Sequence, residues 1–206
     1  MAEKITFASA CGNLESLLDA GTRQKGAVIT HPHPLYGGDM YNPVVEAIET
    51  AYRKAGFSTL RFNFRGTGNS AGTHDNGVGE RDDVAAAVAY LKNEGVESIH
   101  LSGYSFGAWV NAMAVQNKLV VDGMTMVAPP VAFIDFADGI RLPGLAKVVA
   151  GSRDEFAPPD MIRPLLANWN RDAEMEIIDG ADHFFFSYLD ELTRTLLASD
   201  TVAIQK

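Results

Sequence analysis

Two hydrophobic periods interleave along this chain. Short apolar runs occur at Gly26–Thr30, Ser98–Ser102, Gly123–Val127 and Leu145–Ala150, and Phe57–Phe64 alternates apolar with polar positions. Runs of about four to eight residues bounded by turn formers read as strands. Between them the helical period sets Val44, Val45, Ile48 and Tyr52 on one face, then Val84, Val88 and Leu91, and near the end Leu189, Leu192 and Leu196. The punctuation agrees with these helices. Asn42 before Pro43 suits an N-cap followed by proline at the first helical position, and Gly56 is placed to end that helix. Asp82 and Asp83 complement the positive end of the second helix, which Gly95 follows. Ala108–Val115 is almost wholly apolar and predicts a buried helix, while the more polar Glu174–Ile178 predicts a strand nearer an edge. Strands alternating with helices predict an α/β fold, a mostly parallel central sheet with helices on both faces. Sites in such sheets form at the carboxyl ends of the strands.

Composition narrows the function classes. At 206 residues the chain is expected to form one domain over 1–206, and its 47% hydrophobic content is ordinary for a globular protein. The net charge of −9 weighs against nucleic acid or an anionic membrane as a partner. Cys11 is the only cysteine, so no internal disulfide can form and a reducing compartment is the simpler expectation. The start shows no basic region followed by an apolar run, and no apolar run reaches membrane-spanning length. A cytoplasmic protein without membrane insertion, monomer or homodimer, is expected.

The chemistry centres on Gly103-Tyr104-Ser105-Phe106-Gly107, a G-x-S-x-G pattern between a predicted strand and the apolar helix. A serine on so sharp a strand-to-helix turn projects its hydroxyl at the sheet top, and only glycine fits on either side. Such a hydroxyl needs a base, and the base needs an orienting group. His183 lies in a loop between the last strand and the closing helix and is the candidate base. His100 falls inside a strand and His74 in a polar loop. Asp154 follows the strand ending at Ala150 and is the candidate acid, with its neighbour Glu155 as rival; Asp160, Asp172 and Asp179 sit on less suitable elements. An oxyanion formed at Ser105 needs two N–H donors. Phe106, at the positive end of its helix, would supply one. The other would come from the loop His31-Pro32-His33-Pro34-Leu35-Tyr36, where the prolines have no N–H, leaving His33 and Leu35 nearest the strand end and Tyr36 third. A cis bond before Pro34 suits such a turn. The His31 and His33 pair has no further Cys/His cluster beside it, so no metal and no cofactor are expected.

These residues resemble the small, uncapped bacterial alpha/beta-hydrolases of the dienelactone-hydrolase-like kind. The resemblance rests on His31-Pro32-His33-Pro34 with Gly37-Gly38, on Phe64 to Ser70, on Gly103 to Gly107, on Asp154 before Pro158-Pro159, and on Gly180 to His183, and it spans roughly Ile5 to Leu197. It implies Ser105 as nucleophile, Asp154 as acid and His183 as base, an order expected of the alpha/beta-hydrolase fold. The turn is similar to an H-G-x-P motif whose x residue donates the second N–H before a cis proline bond, which favours His33; Pro32 stands where that motif has glycine, so Leu35 stays open. Dienelactone hydrolases proper use cysteine, so their substrate does not carry over. Only about 17 residues separate Val127 from Leu145, too few for the helical cap of larger relatives. An open pocket is therefore expected, lined by Tyr36, Met40, Tyr104, Phe133, Phe156 and Phe184 to Phe186. Arg65 is expected to tie down loop carbonyls. The resulting expectation is a serine hydrolase of small acyl substrates, carboxylic esters or thioesters. Two other functions fit the fold, a serine peptidase and a binding module that has lost the chemistry; candidates for all three triad roles argue against the latter.

Overall fold

Eight strands in one sheet form the frame of the computed structural model, which describes residues 2–137 and 139–198. The domain span expected from the sequence also takes in residues 1, 138 and 199–206, which lie outside the described residues. The strands are β1 (Glu3–Ser9), β2 (Gly12–Asp19), β3 (Thr22–Thr30), β4 (Phe57–Phe62), β5 (Ser98–Tyr104), β6 (Gly123–Val127), β7 (Leu145–Gly151) and β8 (Glu174–Ile178). The helices are α1 (Pro43–Lys54), α2 (Glu80–Asn93), α3 (Phe106–Gln116), α4 (Pro159–Trp169) and α5 (Leu189–Leu197). Strand order is β1-β2-β4-β3-β5-β6-β7-β8. β1 and β2 pair antiparallel, as do β2 and β4, and every other pairing is parallel.

The order explains the two covered faces. The chain crosses from β3 outward to β4 and then back past β3 to β5. Right-handed crossovers therefore place α1 on one face and α2 and α3 on the other. Packing agrees: α1 lies against α5, and α2 against α3. The middle strands are buried on both sides, with Val28, Ile29, Leu101, Met126, Val148 and Val149 inaccessible. α1 turns Val44, Val45, Ile48 and Tyr52 inward, as its periodicity predicts. Asn42 caps it by accepting the Val44 N–H at 2.9 Å. β8 is an edge strand with only Ile178 buried.

The structure adds elements that the hydrophobic pattern does not announce: the β1–β2 hairpin, the start of β3 before Gly26, a 3₁₀ turn over Pro34–Tyr36, and α4. Among the described residues between β6 and β7 there is no helix. No helix among the described residues is long and apolar enough to cross a membrane.

Candidate active site

Ser105 is where β5 becomes α3. Its backbone sits at φ 54° and ψ −120°, a conformation that L side chains rarely adopt. The surroundings enforce it. A Cβ on Gly103 would lie 2.6 Å from the Ala108 nitrogen and from Oγ1 of Thr30, and one on Gly107 would lie 2.7 Å from the His31 carbonyl oxygen. The Ser105 N–H donates to the Val127 carbonyl at 2.9 Å, tying the turn to β6.

His183 and Asp154 converge on this serine from two later strand ends. Nε2 of His183 lies 3.0 Å from Oγ of Ser105, and its Nδ1 lies 2.9 and 3.0 Å from the two carboxylate oxygens of Asp154. All three residues are buried. Oδ1 of Asp154 also accepts the N–H groups of Phe156 at 2.8 Å and Ala157 at 2.7 Å. The acid is therefore fixed by its own loop before it meets the imidazole. Its rival Glu155 is exposed. With Asp154 on Nδ1, the neutral His183 that places its proton there leaves Nε2 as an acceptor for the serine hydroxyl.

Tyr104 and Phe156 help to seat His183. Tyr104 donates its hydroxyl to the His183 carbonyl at 3.0 Å. Burial, with the nearby Asp154 and Asp182 acting in the same direction, pushes that phenol well above its ordinary pKa and keeps it a donor. Phe156 stacks on the His183 ring at 4.6 Å between centroids. Sequence reasoning placed both only among pocket candidates, because neither contact has a signature in spacing.

The donor loop is less open than the sequence suggests. The His33–Pro34 bond is trans, since no cis peptide occurs among the described residues. The Leu35 N–H donates to Nδ1 of His33 at 3.2 Å, and the Tyr36 N–H donates to the His33 carbonyl. Both are thereby engaged in the 3₁₀ turn, which removes Leu35 as a free donor. The N–H groups of His33 and Phe106 have no acceptor among the described residues. Burial holds the His33 imidazole below its ordinary pKa; His74 acts in the same direction and Glu80 opposes them. That favours the neutral ring whose Nδ1 can accept.

Other expectations need correction. Met40 is inaccessible and Tyr104 only 2% exposed, so neither can line an open pocket. Tyr36, Phe133, Phe184 and Phe186 are exposed. Phe156 is half-buried, and Phe185 lies in the core. Among the described residues Arg65 grips no loop carbonyl; its Nε and Nη2 form a bidentate pair with Asp83 at 3.0 and 2.8 Å. His31 uses both ring nitrogens within the protein, Nδ1 toward the Pro32 carbonyl and Nε2 accepting the Phe64 N–H. His100 sits against Phe57 within β5.

Known proteins share this arrangement of chain. A model described as the alpha/beta hydrolase family matches residues 28–198. An uncharacterized protein of Rickettsia prowazekii is 35% identical over 180 residues, covering 82% of this chain and 76% of its own. An alpha-beta serine hydrolase homologue from Coxiella burnetii superposes with a TM-score of 0.86 at 33% identity, over 95% of each chain. An a/b serine hydrolase without lid from Xanthomonas campestris gives a TM-score of 0.87 at 30% identity, over 95% of this chain and 91% of its own.

Proposed function

The chain belongs to the alpha/beta hydrolase family, and from that premise we propose that it is a serine hydrolase cleaving carboxylic esters or thioesters through Ser105, His183 and Asp154. The observation that carries this reading is the contact chain from Ser105 Oγ through the His183 ring to Asp154, at 3.0 and 2.9 Å, on a strained elbow.

The geometry supports acyl transfer to water. Oγ of Ser105 attacks the carbonyl carbon as its proton passes to Nε2 of His183, and the carbonyl oxygen gains the charge. Asp154 keeps the imidazole proton on Nδ1 and stabilises the cation. The N–H groups of Phe106 and His33 receive the oxyanion. The tetrahedral species collapses, the bond to the alcohol or thiol breaks, and Nε2 returns its proton to that leaving group. Water then attacks the acyl-enzyme by the same steps in mirror order, releasing the acid and restoring the serine.

Exposed Phe184 against the His183 ring, Phe186 against Phe184 and Phe133 stacked on Phe156, with Leu35 and Tyr36 in the turn after His33, suit an uncharged apolar acyl or alcohol group. The test is a Ser105→Ala variant. It is expected to keep its circular dichroism spectrum while losing turnover of soluble p-nitrophenyl esters and labelling by a fluorophosphonate. Full activity in that variant would refute the assignment.

A further inference from the structure

The two N–H groups assigned to the oxyanion come from different elements, yet their side chains touch. The ring of His33 lies 4.7 Å from the ring of Phe106, centroid to centroid. A third ring, that of His74, packs against both, at 4.9 Å from His33 and 5.7 Å from Phe106. His74 belongs to neither element; it comes from the segment between β4 and α2.

Behind His74 stands a carboxylate without access to solvent. Glu80, the first residue of α2, is 0% exposed. Its Oε1 accepts the Asp75 N–H and its Oε2 accepts the Gly77 N–H, each at 2.8 Å. Oε1 also lies 2.9 Å from Nδ1 of His74, a close contact that lacks the geometry of a directed hydrogen bond. The residues beside Glu80 are thereby bound into one turn, with the imidazole held at its tip. The His74 ring carries a cost as well. Its Nε2 is buried and meets no partner among the described residues. A phenylalanine there would pack the same faces without burying an unsatisfied nitrogen. Packing alone therefore does not account for the choice of side chain.

From these contacts we infer that Glu80 and His74 are positioning residues that hold the His33 and Phe106 N–H groups at one fixed separation. The inference rests on the serine-hydrolase reading above. Its physical basis is that donors aimed at a developing oxyanion act mainly in the transition state, and only in the correct place. A displacement of about 1 Å, transmitted from outside the reacting groups, is enough to lower a rate by about 100-fold. The strut touches neither the nucleophile nor the base, so it can alter the oxyanion site while leaving the Ser105–His183–Asp154 contacts intact.

The experiment uses His74→Phe, which keeps a ring but abandons Glu80, together with Glu80→Gln and His74→Gln. Active sites are counted by fluorophosphonate titration, so that loss of folded protein is divided out. For each variant kcat, KM and the Ki of an alkyl boronic acid, which forms a tetrahedral adduct on serine, are then measured. His74→Phe and Glu80→Gln are expected to lower kcat per active site by about 10- to 100-fold. KM should change little, and the boronate Ki should rise in parallel with the loss of kcat/KM. His74→Gln, whose amide can still reach Glu80, should recover part of the loss. Unchanged kcat and boronate Ki per active site in His74→Phe would overturn the inference, whatever happens to Tm. If Glu80→Gln does not fold, the two His74 variants decide alone. Wild-type protein that neither turns over ester nor labels would overturn the hydrolase reading, and this inference with it.

Discussion

His31 shows how one side chain can join two strand ends and make the fold depend on pH. It follows β3 directly, is inaccessible, and accepts the Phe64 N–H on Nε2 at 3.0 Å. Only the neutral ring can accept there, so Nδ1 carries the proton, 2.6 Å from the Pro32 carbonyl. Burial is the main cause that lowers its pKa to about 4, with His33 adding to it and the Pro32 carbonyl opposing it. In the unfolded chain the same ring titrates near 6.5. Between these values the unfolded state takes the proton more readily. The stability contributed by neutral His31 is thus complete above about pH 6.5 and is lost as the pH falls toward 4. The difference corresponds to a loss of about 3 kcal/mol. Urea unfolding between pH 7 and 4 should show it. In His31→Gln the slope in that window should be shallower by about 1.4 kcal/mol per pH unit, whatever the absolute stability. Equal slopes in the two proteins would refute this account.

At the scale of elements, the β5–α3 elbow holds strain at the residue proposed to react. Ser105 at φ 54° occupies backbone space suited to glycine, and both Ser105→Gly and Ser105→Ala lose the contact with His183. Only the glycine variant relaxes the turn. It should be more stable than Ser105→Ala by about 1 kcal/mol, the net of strain relieved and extra freedom in the unfolded chain. Denaturant midpoints of the two variants measure this, and an alanine variant of equal or greater stability would exclude strain at the elbow. The same turn explains why the sequence could be read here. Gly103 and Gly107 are demanded by close backbone neighbours, and the runs on either side are apolar because β5 and α3 are buried. Elsewhere that coupling is weaker. β1 has only Phe7 buried, and β2 turns Ser16 into the interior near Leu14, so neither shows a clean alternation. α4 carries Pro159 and Pro164, which read as breakers; the first occupies the opening position of the helix, and only Ile162 and Trp169 are buried. Contacts among polar groups leave the least trace. Six positions separate His74 from Glu80, and no periodicity marks their meeting.

Across the whole molecule, charge and surface shape act together on what can approach Ser105. The chain carries a net charge of −9, and Asp154 and Asp182 add to the burial that raises the Tyr104 phenol. Exposed aromatic rings flank the catalytic candidates, with Phe184 against the His183 ring, Phe186 against Phe184, and Tyr36 against His33, and the described residues between β6 and β7 form no helix. On the ester-hydrolase reading, a substrate approaching Ser105 would pass through the protein's own negative field and meet these rings. For an anionic acyl group the field opposes the approach; for a neutral one it has no first-order effect. Screening separates these cases, because the Debye length falls from about 10 Å at 0.1 M salt to about 3 Å at 1 M. Accordingly, kcat/KM for a p-nitrophenyl ester with a terminal carboxylate should be several-fold below that of its neutral methyl-ester counterpart at low salt. The gap should narrow as sodium chloride is raised, while the neutral ester responds little. A ratio of the two that stays constant with ionic strength would show that the field does not select at this site. The rings alone would then set the preference, and truncating Phe184 to alanine should lower kcat/KM equally for both esters.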